Sequence, residues 1–364
     1  MFKEVSSTIA AGVSDKVVMV GLLSDGLKER ESHCHSSEIW RVRVWSRFLP
    51  KFVFVQSFKY LEWCGRIICR FWRQDIRVLH AHSLNALPVS VVLKFFTGAK
   101  LVYDAHELEI ERNGLEGIRK KISQVVELFC LRFADGVIVV SDSIAEFYRE
   151  QYKSVYPVVV RNIPAKALLT RHKEISLRQV LSLNEDDLVF LYLGVLARGR
   201  GIPEMVRAFE GHGGKSHIVF MGEGELSNEI KDSQQKNSRI HLIPPVSPSD
   251  VLACASEADI GCCLIDDICL SYRYSLPNKL FEYLFAGVPV LINDLPEQRK
   301  IIEKFDCGWV LPIGESRISE FLTNITVQQI ESKKDGVAHA RQSFDWSHEE
   351  KRLLSLYRSI SPVP

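Results

Sequence analysis

The stretch that most restricts this chain runs from Tyr274 to Val290, Tyr-Ser-Leu-Pro-Asn-Lys-Leu-Phe-Glu-Tyr-Leu-Phe-Ala-Gly-Val-Pro-Val. It reads as a loop, a short helix, a Gly-Val-Pro break and a buried strand over 288–292. Pro277 has a preset φ and no N–H to donate, so it suits a first helical turn. Leu280, Phe281 and Leu284 give the helix an apolar face. Asn278, Lys279 and Glu282 lie three and four apart and share another face at the helix start. Free N–H groups, the positive end of the helix dipole and a Lys together suit a polyanion such as a diphosphate. Glu282, one turn deeper, can accept hydrogen bonds from a pair of sugar hydroxyls. The plainer alternative is an amphipathic helix with a solvated Lys and Glu.

The surrounding chain reads as α/β. Arg77–Ala81 is a short strand ending in His80-Ala81-His82, followed by a helix around Leu87–Phe96, a strand Leu101–Tyr103, and Asp104-Ala105-His106-Glu107. Strand, helix and strand in this order imply a parallel sheet. Ligands sit off the carboxyl ends of such strands, where the clusters 80–83 and 104–107 fall. His80 and His82 are read as alternating, so that one of them faces the cleft. Taken singly, each His reads more readily as structural than as catalytic. Further on, the buried strand Leu188–Leu193 runs into Gly194-Val195-Leu196-Ala197-Arg198-Gly199-Arg200-Gly201 and a helix Pro203–Phe209. Strand, Gly-rich turn and helix make a phosphate cradle of backbone N–H groups. It is not a Walker A loop, since Gly-Lys-Ser/Thr is absent. Strands 218–221 and 240–243 end in Gly222 and in Pro244-Pro245-Val246. Asp266 and Asp267 follow another buried strand, as a metal pair or as ordinary loop polarity.

Composition limits the remaining classes. At 364 residues the chain holds two ordinary α/β domains. A net charge of +1 gives no bulk attraction to nucleic acid. No apolar run reaches about 18–20 residues, so no transmembrane helix is expected, and no signal peptide is visible. The nine Cys are scattered without a CxxC pair, and Cys130, Cys262 and Cys263 sit in apolar runs. Free thiols in a reducing cytoplasm are expected, with no disulfide frame or zinc site.

The run Ser-x-Pro-Asn-Lys-x-x-Glu-Tyr-x-x-Ala-Gly-x-Pro-Val resembles the nucleotide-sugar site of GT-B fold glycosyltransferases of retaining family 4. Val-Tyr-Asp-Ala-His-Glu-Leu, Val-Val-Ser-Asp-Ser and Arg-Asn-Ile-Pro match the same family, so the resemblance spans roughly 77–360. It implies two Rossmann-like domains with parallel sheets facing across a cleft. Residues 1–164 would form the acceptor domain and 165–346 the nucleotide-sugar domain, with a helix of about 347–364 packing back on the first. Lys279, Arg200 and Asn278 would hold the donor diphosphate and Glu282 the ribose. Gly194, Gly222, Pro245 and Val246 would line the donor site. His106 and Glu107 would act at the transferred sugar, and His82 on the acceptor side.

Two departures stand out. Many members carry a Glu eight residues before the ribose Glu, and that donor-side position is Tyr274. A basic residue after the first Gly is replaced by Val195, with Arg198 as its substitute. The chain also opens inside a helix where the family opens on a strand and glycine loop, so the first strand is expected to be missing. That would leave an uncovered place in a parallel sheet.

The activity implied is transfer from a nucleotide-diphosphate sugar, UDP-linked, to a glycan or lipid-linked acceptor in surface polysaccharide synthesis. No cofactor and no metal are expected, since GT-B enzymes do not use an Asp-x-Asp metal device. A GT-B sugar-nucleotide 2-epimerase and a non-catalytic binding or scaffold homologue are the alternatives.

Residues 40–73 are lopsided. Arg41, Arg43, Arg47, Lys51, Lys59, Arg66, Arg70 and Arg73 oppose only Glu62, and aromatics are interleaved from Trp40 to Trp72. This pattern suits an anionic membrane surface at about 1 kcal/mol per basic residue, which would place a cytoplasmic protein at the inner face of the plasma membrane. The alternative is an ordinary strand and helix whose aromatics are core. Nucleic acid is a weaker third reading, since no recognition motif accompanies the charge.

Overall fold

The computed structural model describes residues 2–34, 36–50, 52–164, 177–312 and 314–361. Lys51, most of the polar segment after Pro164 and the last three residues lie outside them. The chain forms two α/β domains with parallel sheets.

The N-terminal half opens with helix α1 (Phe2–Ala10) and strands β1 (Val17–Leu22), β2 (Arg30–Cys34) and β3 (Ser37–Val42). These make a small sheet of order β1-β3-β2, with β2 antiparallel to β3. Helix α2 (Val53–Phe71) leads to a second sheet, β4 (Val78–His82), β5 (Lys100–Ala105), β6 (Gly136–Val139) and β7 (Val158–Val159). All four are parallel and in sequence order. Helices α3 (Leu87–Thr97), α4 (Gly117–Leu131) and α5 (Asp142–Gln151) connect them. Leu101 to Ala105 are buried on both faces, as a central parallel strand requires. Among the described residues, β1 and β4 each lack a strand on their second edge.

The C-terminal half contains one six-stranded parallel sheet. Its strands are β8 (Leu188–Leu193), β9 (Ser216–Met221), β10 (Ile240–Ile243), β11 (Ile260–Cys263), β12 (Val290–Asn293) and β13 (Gly308–Leu311), in the order β10-β9-β8-β11-β12-β13. The winding reverses at β8, with β9 on one side and β11 on the other. A crevice therefore opens at the carboxyl end of β8, the place where ligands bind in doubly wound sheets. One face packs under α11 (Asn278–Ala286) and its neighbours, the other under α7 (Ile202–Gly211) and α8 (Ser227–Lys236).

The last helix, α15 (Trp346–Ile360), lies on the N-terminal half. Trp346 and Leu353 share a core with Val102, Ile138 and Val160, and the Trp346 indole donates to Ser7 Oγ at 3.0 Å. Two helices of the C-terminal half, α13 (Glu315–Asn324) and α14 (Val327–Ser343), precede it.

The aromatics of 40–73 divide between both readings. Trp40, Tyr60, Trp63 and Phe71 pack around Val42, Cys64 and Ile67. Phe48 and Phe54, 85% and 89% exposed, point to solvent together with Trp45, Phe52 and Phe58.

Candidate functional site

The crevice at the end of β8 is shaped by close backbone contacts. A Cβ on Gly222 would lie 1.9 Å from the Gly194 carbonyl oxygen, so the ends of β8 and β9 touch directly. Gly194 itself has φ +113°, and a Cβ there would sit 3.9 Å from Lys279 Nζ. The glycine turn thus lies against that ammonium. At the far end of the turn, Gly201 (φ +66°) admits α7 next to Leu264, which a Cβ would meet at 2.7 Å.

Helix α11 is pinned beneath the turn by Tyr283. Its hydroxyl donates to Leu191 O at 2.7 Å and accepts from the Leu193 N–H at 2.9 Å. Gly261 makes room for the ring, which an added Cβ would meet at 2.2 Å. Pro277 precedes the helix with extended backbone, and no side chain caps its start. Asn278 is exposed there.

Lys279 turns inward. It is 7% exposed, its ammonium has no hydrogen-bond partner, and Nζ stands 3.6 Å from the Tyr192 ring centroid. Burial lowers it to about 8; the Arg200 charge lowers it too, while Cys263 and Glu282 oppose the shift. Arg200, from the glycine turn, likewise has a buried Nε without a partner. The Lys279 ammonium and the Arg200 Nε are therefore held close together with no acceptor for either. Such groups are costly unless something pairs with them, and a diphosphate at the helix start fits the need.

Glu282 is partly buried one turn deeper. Burial raises its carboxyl pKa, opposed by Lys279 and by Lys3 of α1. Lys3 belongs to the opposite half, so Glu282 lies at the seam between the domains. Pro245 is exposed and Val246 half-buried after β10, whose Ile243 carbonyl accepts from the Gly222 N–H at 3.1 Å.

On the other side of the seam, His82 and His106 stack with ring centroids 5.0 Å apart, and His82 Nδ1 lies 3.1 Å from His106 Nε2. Both face Asp104, at 3.0 and 3.4 Å. Burial pushes the Asp104 carboxyl up, but hydrogen bonds from His80 and His82 hold it well below the usual range. His80 and His82 do not alternate: residues two apart on a strand share a face, and their rings stack at 4.1 Å. His80 is the deeper, with Nδ1 2.5 Å from the Tyr357 hydroxyl.

Three of the expected site residues make other contacts. The Arg198 guanidinium pairs with Glu229 at 2.9 Å on the exposed surface. Tyr274 joins the N-terminal core, and its carbonyl accepts from Ser141 Oγ at 2.8 Å. It closes the seam and does not join Lys279 and Arg200. Glu107 is occupied by Arg112 at 3.0 Å and by Ser271 of the other half at 3.4 Å. Reading the residues passed over Lys3, Tyr192 and Asp104. Asp104 stood within the matched run, whereas nothing local marked Lys3.

Comparison with known proteins identifies the family. Residues 4–165 match the glycosyl transferase 4-like domain, and 173–333 match the glycosyl transferases group 1 domain. The chain belongs to the GT-B glycosyltransferases of family 4. This family 4 protein is 23% identical over 188 residues to TuaC of Bacillus subtilis, named as a teichuronic acid biosynthesis glycosyltransferase. That match covers 51% of this chain and 46% of TuaC, so it spans less than half of that relative's length.

Two solved structures share the GT-B fold over nearly the whole chain. Sucrose-phosphate synthase from Thermosynechococcus elongatus has a TM-score of 0.78 at 16% identity, covering 98% of this chain and 92% of that one. Anabaena HepE in complex with UDP-glucose has a TM-score of 0.75 at 18% identity, covering 98% and 95%.

Proposed function

We propose that the chain moves a sugar, with retention, from a UDP-linked donor to a glycan or lipid-linked acceptor in surface polysaccharide synthesis. The observation that carries this reading is the buried, unpartnered Lys279 ammonium beside Arg200 under the glycine turn. The UDP complex of HepE, which has the same fold, supports the choice of base.

In this reading the diphosphate lies between the turn 194–200 and the start of α11. Glu282 holds the ribose, and the backbone at Pro245 and Val246 lies along the base. As the bond from the anomeric carbon to the diphosphate breaks, negative charge grows on the leaving nucleotide. Lys279, Arg200 and the α11 terminus stabilise it, the electrostatic contribution that usually dominates. His106 orients the transferred sugar, with Glu107 beside it and His82 toward the acceptor. Closure of the seam excludes water and suppresses hydrolysis. The exposed aromatics of 45–58 among basic residues support docking to an anionic lipid surface, where a lipid-linked acceptor would reside. Among the described residues, no helix is long and apolar enough to cross a membrane.

The test is to change Lys279 and Glu282 separately to Ala and measure UDP binding by calorimetry and sugar transfer. Unchanged values in both variants refute the assignment. The occupied Glu107 carboxylate and the position of Tyr274 favour one second reading, a subunit that binds nucleotide sugar without turning it over. UDP binding without hydrolysis or transfer of any UDP-sugar would select it.

A further inference from the structure

The imidazoles behind the cleft form a cluster that the proposed transfer does not use in full. In parallel register, His82 of β4 lies beside Asp104 of β5, and His80 is two residues back on the same face. Helix α1 brings Glu4 against them. One nitrogen or carboxylate oxygen from each of Glu4, His80, His82 and Asp104 can be chosen so that all four lie within 4.8 Å of one another. Two ligands on one zinc-sized ion at about 2.0–2.2 Å are at most about 4.4 Å apart. Tetrahedral ligands at that distance are about 3.4 Å apart, so the outermost pair of the set, which lies within 4.8 Å, closes by up to roughly 1.4 Å when the ion binds.

We propose that Glu4, His80, His82 and Asp104 form a binding site for one divalent transition-metal ion, joining α1 to the ends of β4 and β5. Two imidazoles and two carboxylates without a thiolate suit zinc, cobalt or manganese better than magnesium or calcium. The ligands are also steadied from behind, as metal-binding imidazoles usually are. The Tyr357 hydroxyl meets His80 Nδ1, leaving Nε2 toward Asp104 at 3.3 Å. His106 Nδ1 lies 3.4 Å from the other Asp104 oxygen. Asp104 is buried while Glu4, His80 and His82 are half-buried, so the ion would enter from the cleft. This departs from the expectation of no metal drawn from the family pattern, and it places the ion on the half opposite the diphosphate cations.

The experiment titrates the metal-free full chain with Co²⁺ and reads its ligand-field absorption, then adds Zn²⁺. One Co²⁺ per chain, displaced by Zn²⁺, is expected. Glu4→Gln and His82→Gln each weaken binding at least about tenfold, and Tyr357→Phe weakens it about ten- to hundredfold. The chain carries its own control. His217 and His241, 3.0 Å apart on β9 and β10, are a second imidazole pair without a comparable carboxylate set. His241→Gln leaves Co²⁺ binding unchanged if the proposal holds. Circular dichroism reports folding of every variant. Should His82→Gln not fold, Glu4→Gln on the first helix carries the test alone. Absence of stoichiometric Co²⁺ binding, full binding in Glu4→Gln, or loss of binding in His241→Gln overturns the site.

Discussion

Replacing Lys279 by Met separates what the residue does for the fold from what it does for a ligand. Met keeps most of the side-chain length and apolar contact and removes the charge. In the ligand-free protein the ammonium is buried, and its pKa falls from 10.5 to about 8. At about 1.4 kcal/mol per pH unit, the charged form costs on the order of 3 kcal/mol at neutral pH. Lys279→Met should therefore stabilise the free protein by up to about 3 kcal/mol. A domain of 150–250 residues shifts by about 2–4 °C per kcal/mol, so Tm rises by several degrees. The same change removes a charge-assisted contact to the diphosphate. Such contacts contribute about 1.5–3 kcal/mol, so UDP binds on the order of ten- to a hundredfold more weakly.

Wild type at UDP near a hundred times Kd gains about 2.7 kcal/mol, and the variant loses most of that gain. The pH dependence has a definite sign. Between about 8 and 10.5 the unfolded Lys279 holds more proton than the folded one, so wild-type stability rises with pH across that window. The Met variant lacks this share of the rise and keeps the share of Lys3, which burial also lowers to about 8. Differential scanning fluorimetry with and without UDP, at several pH values, measures all three effects. A Met variant that melts lower than wild type when free, yet keeps the full UDP-induced shift, refutes the reasoning.

Four more outcomes follow from the same structure. Glu282→Gln should weaken UDP binding while leaving inorganic pyrophosphate binding intact, because the carboxylate is assigned to the ribose; calorimetry with both ligands checks it. Gly222→Ala forces a Cβ to within 1.9 Å of the Gly194 carbonyl oxygen, at a cost of about 1–3 kcal/mol or more, and spoils the crevice, measured as a lower denaturation midpoint with loss of UDP binding. Glu62 accepts hydrogen bonds from the Ser46 hydroxyl and from the Ser46 and Trp45 N–H groups, which hold it down to about 2. Its stabilisation is present above pH 4.5 and is lost as pH falls toward 2, so wild type should lose its stability advantage over Glu62→Gln in acid melts. Arg70→Glu with Arg73→Glu should lower binding to anionic vesicles at least about thirtyfold, at about 1 kcal/mol per basic residue; equal flotation of variant and wild type removes the membrane reading.

How far the architecture was legible from residues alone varied with burial. β8, β11 and β12 were readable because both of their faces are covered, which demands unbroken apolar runs such as Leu188–Leu193. The hairpin strand Arg30–Cys34 was not, because all five of its residues are exposed and carry no alternating pattern. His80 and His82 differ in another way: residues two apart on a strand share a face, so both rings stack on the same side of β4. Helix α11 could be drawn from its apolar face and its break at Gly287, yet periodicity does not tell whether Lys279 is solvated or buried. Tyr192 and Cys263, which line its pocket, come from two other strands far away in the chain.

The two arginines of the glycine turn show why position in a motif underdetermines role. Arg198 and Arg200 are separated by Gly199, whose φ of +79° turns the backbone between them. Arg198 consequently emerges toward Glu229 in solvent, while Arg200 folds under toward Lys279. A side chain at position 199 would be strained and would press within 2.8 Å of Ile268 and 3.0 Å of Tyr272. The glycine that divides the two arginines thus also seats the turn against the 268–272 segment, whose Leu270 docks on the opposite half together with the nearby Tyr274. Placement of Arg200 and closure of the seam depend on the same few residues. A change that loosens the seam at Leu270 or Tyr274 should therefore weaken diphosphate binding without touching a single charged group.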